Sequence, residues 1–263
     1  MPKTRWQAFS IHLGLCAALY VVLLYLILFH WYPQPYFAAD GGWEGIRLIT
    51  GVDLVLGPVL TLIVFKAGKR GLRRDLTLIG ILQTVAIIWG TWLVYEQRTA
   101  MVTYADGTFF TLNNEQVQSA GGKAVQIAEQ SETIPPYAFV RMPAEARARQ
   151  KLRMETLFKG LPAHQLGDYY ESFGKSNFQE VLAQGLNIEK YTAKSEANQQ
   201  ELERFLTRHG GTQKDYAFLP LNGRYQEPLL ALRRTDGHII DTLDIDRRSS
   251  VVNPPASTPP AAK

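Results

Sequence analysis

Three long apolar runs open the chain, at residues 11–29, 48–65 and 76–95, each close to the roughly 20 residues a helix needs to cross a bilayer. Beyond Tyr95 the pattern shortens into brief alternating stretches and amphipathic segments broken by Gly and Pro. The reading is a membrane protein with three N-terminal transmembrane α-helices followed by a small exported α+β domain with antiparallel strands. Residues 1–95 form the three-helix region, 96–248 the exported domain and 249–263 a flexible Pro-rich tail. A signal-peptide reading of residues 1–39 is set aside, because the first run is long for such a segment and two further spans follow.

Within the exported part, residues 101–112 read as two strands around an Asp106-Gly107 turn. Pro143 opens a helical segment that stops at Lys159-Gly160. Its bases Arg147, Arg149, Lys151 and Arg153 suit either a solvated face or anionic lipid headgroups. Ser176 with Gln179 predicts a capping box for a helix closing at Gly185. Ser195 with Glu196 predicts another helix, ending before Gly210-Gly211, with Leu202, Phe205 and Leu206 as its buried stripe. Three strands follow, at 216–221, 229–233 and 238–243, separated by Asn222-Gly223 and Asp236-Gly237 turns.

Charge sets the orientation. Lys3 and Arg5 precede the first span, and Lys66, Lys69, Arg70, Arg73 and Arg74 fill the loop between the second and third, against Arg47 alone in the other short loop. The positive-inside rule then places the N-terminus in the cytoplasm and the C-terminal domain on the far side, the periplasm of a Gram-negative inner membrane. Residues 96–263 carry equal numbers of basic and acidic side chains, so the formal net charge of +4 belongs to residues 1–95 and no nucleic-acid partner is expected. The lipid bilayer is the expected surrounding. Trp31, Tyr32, Tyr36 and Trp43, between the first two spans, suit the headgroup level or a docking surface for a partner; Trp89, Trp92 and Tyr95 carry the same interfacial signature. The one cysteine, Cys16, lies in the first span, leaving the exported domain to be held by packing.

Motifs for catalysis do not emerge. The five histidines are scattered, no Gly-x-Ser-x-Gly elbow occurs, and the glycines near Lys66–Arg74 lack a P-loop pattern. Asp241, Asp244 and Asp246 lack the spacing of an EF-hand and read as a solvated strand edge. Neither a metal, a cofactor nor an enzymatic activity is expected.

Asp53 is the acid set within an apolar run. A carboxylate in hydrocarbon costs roughly 2.5–3.5 kcal/mol on insertion scales and usually faces a partner or a protein interior. In a helix beginning near Ile46 it lies about 10 Å from the extracytoplasmic end. Two readings stay open: a hydrogen bond within the chain, to Thr84 or Gln83, or an acceptor for another membrane helix. Gly51 and Gly57 permit close helix approach and Pro58 frees a backbone carbonyl. With Trp43 and Arg47 of the preceding loop, these residues make the candidate partner-binding set.

Residues 40–47 (DGGWEGIR), 51–66 (GVDLVLGPVLTLIVFK) and 75–83 (DLTLIGILQ), supported by 94–98 (VYEQR), resemble the TfpX/TfpZ family of type IV pilin accessory proteins. The resemblance spans the chain and is strongest over 40–83. It implies a noncatalytic inner-membrane protein that assists the handling, stability or assembly of a type IV major pilin, and it transfers no functional residue. Two alternatives from the residues themselves are a membrane sensor with a ligand-binding exported domain and, with less support, an enzyme that modifies pilin.

Overall fold

A computed structural model describes residues 2–160, 162–193 and 195–247; the Pro-rich tail expected at 249–263 lies outside these described residues. The chain divides into two compact units, Met1–Phe173 together with Asn222–Gln226, and Gly174–Leu221 together with Glu227–Lys263.

The three apolar runs form helices, and each begins before its run. They cover Arg5–Trp31, Gly42–Val64 and Leu72–Glu96, long and apolar enough to cross a membrane. Polar ends account for the extra turns. Thr4 caps the first helix by accepting from the Gln7 N–H at 3.2 Å, and Gly71, at φ +88°, makes the turn into the third. The first two spans each contain a wide π-helical turn, at Ile27–Trp31 and Thr50–Leu56.

The aromatic segment after the first span folds inward. Tyr32 and Tyr36 are buried, at 2% and 0% exposure. The Tyr32 hydroxyl donates to Val94 O at 3.0 Å, and the Tyr36 hydroxyl lies 2.9 Å from that of Tyr137. Expected at the headgroup level, both instead tie the loop to the third span and to the first sheet, because a buried tyrosine needs a partner for its hydroxyl. Trp43, Trp89 and Trp92 do stay exposed, and Trp31 packs edge-on against Tyr95 at 5.4 Å.

The first unit continues as a mixed sheet in the order β4-β3-β1-β2, with β1 at Met101–Ala105, β2 at Thr108–Leu112, β3 at Tyr137–Val140 and β4 at Tyr170–Ser172. Asp106 (φ 47°) and Gly107 (φ 83°) form the two-residue turn expected between β1 and β2. The expected hairpin of β1 and β2 pairs antiparallel, and β3, which the sequence pattern does not mark, runs parallel to β1. The chain reaches β3 through two helices, Asn114–Ala120 and Gly122–Gln130, which pack Val117 and Ala124 against Met101, Ala105 and Ala138. On the sheet's other side Tyr104 packs against Phe109 and Phe139, so β1 is buried along its whole length.

In the second unit β5 (Tyr216–Asn222), β6 (Leu229–Arg233) and β7 (Ile239–Leu243) form the expected antiparallel meander. Leu202 and Phe205 of the helix Glu196–His209 pack on Tyr216, Phe218, Leu229 and Ala231. Three local expectations are corrected. The helix expected from Pro143 begins at Ala146. The helix expected to open with a Ser176–Gln179 box runs Lys175–Ala183, and Asn177 Oδ1 accepts the Gly174 N–H at 2.9 Å instead. Asp241 is no solvated edge: it accepts from His209 Nε2 at 2.9 Å and Arg208 Nη1 at 3.0 Å.

Candidate functional site: a polar centre in the spans

Asp53 lies midway between Gly42 and Val64, about 16 Å from either end at 1.5 Å per residue. That is deeper than expected, because the second span starts at Gly42 rather than near Ile46. It is 1% exposed. Its partner is Gln83 of the third span, whose Nε2 donates to Asp53 Oδ1 at 2.7 Å and to Cys16 Sγ of the first span at 3.0 Å. One amide therefore joins all three helices. Thr84, the other expected partner, is exposed and returns its hydroxyl to Gly80 O of its own helix.

Backbone geometry explains why Gln83 is held here. In the π-helical turn the Gly57 N–H bonds to Val52 O, five residues back. The same register would give Asp53 O the N–H of residue 58, but residue 58 is proline and has none. The Asp53 carbonyl instead takes Gln83 Nε2 at 3.3 Å. Gly57 makes room, since a Cβ there would fall inside the Gln83 carboxamide. Pro58 and Gly57 thus create the vacancy that Gln83 fills.

Two further contacts flank this centre, each about one helical turn from Cys16 along the first span. His12 Nδ1 lies 2.6 Å from Thr61 Oγ1, and Thr50 Oγ1 donates to the Tyr20 hydroxyl at 3.0 Å. His12, Cys16 and Tyr20, spaced by four, form a polar seam against the second span. Such interhelical hydrogen bonds contribute about 1 kcal/mol each in a bilayer.

The candidate set separates into two faces. Asp53, Gly57 and Pro58 are buried inside, while Trp43, Arg47 and Gly51 recur every fourth residue on the exposed side of the second span. Gly51 has open space where a Cβ would be. Arg47 meets Glu44 at 3.5 Å on the surface, and Trp43 packs edge-on against Phe37 at 5.2 Å.

Asp40 is a second buried carboxylate, which sequence reasoning passed over. At 2% exposure it accepts from the hydroxyl of Thr99, from Thr111 Oγ1 at 2.5 Å and from the Arg224 N–H at 3.3 Å. Burial raises its carboxyl above the ordinary 3.8, and the hydrogen bonds from Thr111, Thr99 and Arg224 partly offset that rise. Arg224 Nη1 also donates to Gln97 O at 3.1 Å. Asp40 thus fastens the loop after the first span to the end of the third span and to β2. The sequence signal was its place before Gly41-Gly42, where side chains have no room: a Cβ at Gly41 would enter the Tyr225 ring and one at Gly42 the Phe37 ring.

Among the described residues no group of three His, Cys, Asp or Glu side chains is placed to hold a metal ion. The hydrogen-bonded centres at Asp53 and Asp40 join chain segments to one another.

The chain is 36% identical over 98 residues to the fimbrial assembly protein of serogroups C1 and C2 of Dichelobacter nodosus, a match covering 36% of this chain and 74% of that relative. It has the same identity over the same length to the fimbrial assembly proteins of serogroups E1 and I of that organism, where the match spans 38% of each relative. No family model matches the chain, and no solved structure does. With three apolar spans and 36% identity over most of one such relative, the chain belongs to the family of the fimbrial assembly proteins.

Proposed function

We propose that this protein is a noncatalytic inner-membrane accessory factor that assists the handling, stability or assembly of a type IV major pilin, as the TfpX/TfpZ resemblance implies. The observation that carries the reading is the similarity to the fimbrial assembly proteins over 98 residues. The molecule adds a bundle tied across all three spans by Gln83 and a folded domain that begins at Met101, five residues after the third span. In this reading the N-terminus and the basic loop before Leu72 face the cytoplasm, and the sheet domain faces the periplasm. The short linker keeps the domain at the membrane surface, where the head of a membrane-held pilin resides.

Affinity purification of the tagged full-length protein in mild detergent tests this. The expected result is that the major pilin is retained by the wild-type protein and not by an unrelated three-span protein carrying the same tag. Equal recovery with both, or no pilin with either, contradicts the proposal. A sensor would instead change pilin transcript, and a modifying enzyme would change pilin mass.

A further inference from the structure

We infer that the seam between the second and third spans is a seat for one transmembrane helix of a partner, and that this helix brings a hydrogen-bond donor to the level of Asp53. The inference rests on the pilin reading above and names the surface that would serve it.

Two cavities lie along this seam. One of about 300 Å³ has Leu48, Asp53, Gly90, Thr91 and Leu93 in its walls; the other, of about 40 Å³, has Leu60, Ile79 and Gln83. Val52 and Ala86 line both, and no residue of the first span lines either. The two cavities follow one another along the seam from Leu48 to Leu60, about 18 Å at helical rise. A groove of that length fits a helix better than a compact ligand. Ala86 and Gly90, four residues apart on one helix face, leave room for a second backbone to approach closely, and a Cβ at Gly90 would meet nothing within 4 Å.

Polar chemistry selects the occupant. Three buried side-chain oxygens have no hydrogen-bond partner, Asp53 Oδ2, Gln83 Oε1 and Thr91 Oγ1, and all three residues line this groove. Gln83 Oε1 can only accept, and Asp53 Oδ2 accepts whenever the carboxyl is ionised. In hydrocarbon no water completes them, and an acyl chain carries no donor. A helix with a hydroxyl, amide or ammonium group at this depth supplies what lipid does not. Leu48 and Leu93 at the mouth are exposed and apolar, as the rim of a helix seat requires.

The test places a photo-crosslinking benzoylphenylalanine in the full-length protein in pilus-producing cells, at Leu48, Leu56 or Leu93 beside the groove and at Leu15 or Val22 on the exposed side of the first span. The expected result is crosslinking to the major pilin from the groove positions and little from the first span. In the Asp53→Asn/Thr91→Val background, which keeps an Oδ1 acceptor for Gln83 but removes the Oδ2 acceptor and the Thr91 hydroxyl, the groove crosslink should fall about fivefold, what one interhelical hydrogen bond contributes in a bilayer, with protein level unchanged. Equal pilin crosslinking from both faces, crosslinking from the groove only to a second copy or to lipid, or an undiminished crosslink in the double variant overturns the inference. If tagged wild-type protein retains pilin while the groove positions do not crosslink it, the seat is wrong and the accessory function stands. If pilin is not retained at all, the function itself is wrong.

Discussion

Replacing Gly57 with valine should weaken the membrane bundle strongly. The Gln83 carboxamide occupies the space a side chain at 57 would need. Valine therefore overpacks the crossing of the second and third spans, at about 1–3 kcal/mol. It also expels Gln83 from Asp53 and Cys16, which removes roughly another 1–2 kcal/mol of interhelical hydrogen bonding. A loss of about 2–5 kcal/mol is expected, read as a lower midpoint when the purified protein is unfolded by heat in detergent. Gly51→Val is the control, since nothing lies within 4 Å of a Cβ there; it should be nearly neutral. Similar losses for the two variants would contradict the packing described around Gln83.

The second large effect is expected at Asp40. Asp40→Leu puts a larger apolar side chain in the buried site and leaves the Thr99 and Thr111 hydroxyls and the Arg224 N–H without their acceptor. An unsatisfied buried donor costs about 1–3 kcal/mol, and with hydroxyls free to rotate toward other acceptors the net loss at neutral pH should be about 2–3 kcal/mol. Asp40→Asn separates charge from shape. Because burial raises the folded carboxyl above 3.8, the folded state takes up a proton at a higher pH than the unfolded chain. Linkage then makes the Asp40 contribution increase as pH falls through the raised value, level off below 3.8, and stay at its lowest above the raised value. Asp40→Asn cannot titrate, so its stability measured against wild type should decline as pH falls from 7 toward 4. A difference that does not change with pH would show that the buried carboxyl does not set this slope.

Long-range pattern made the architecture legible, and local chemistry did not always do so. Three apolar runs, the Asp106-Gly107 hairpin and the final meander each repeat a period over enough residues to be read directly. β3 and β4 have four and three residues, too few for alternation to show, and the parallel pairing of β1 with β3 depends on a crossover that nothing in either strand announces. The first of the two helices before β3 did carry a signal, Asn113 and Gln116 at capping-box spacing, confirmed by mutual hydrogen bonds of 2.9 Å. Tyr32 and Tyr36 look like interfacial residues in sequence because an amphipathic ring serves equally well at a headgroup or over a buried carbonyl, and partners 62 and 101 residues away decide the matter.

At the site, the oddity of Asp53 was visible and Gln83 was one of two partners open to it. The π-helical turn was not legible, and it is what turns Pro58 from a helix breaker into the reason the Asp53 carbonyl accepts from another span. Asp40 escaped notice because an acid in a loop beside two glycines looks solvated until the β-strand residue Thr111 and the distant Arg224 close over it.

The central claim is that this membrane protein serves pilus assembly. It is tested most directly in a clean deletion strain by measuring pilin in sheared surface pili and in the membrane-held pool at matched pilin transcript. The account predicts that surface pili fall while pilin persists or is degraded in the membrane, and that wild-type protein supplied in trans restores them. Unchanged surface and membrane pools, with pilin of unchanged mass, would contradict it.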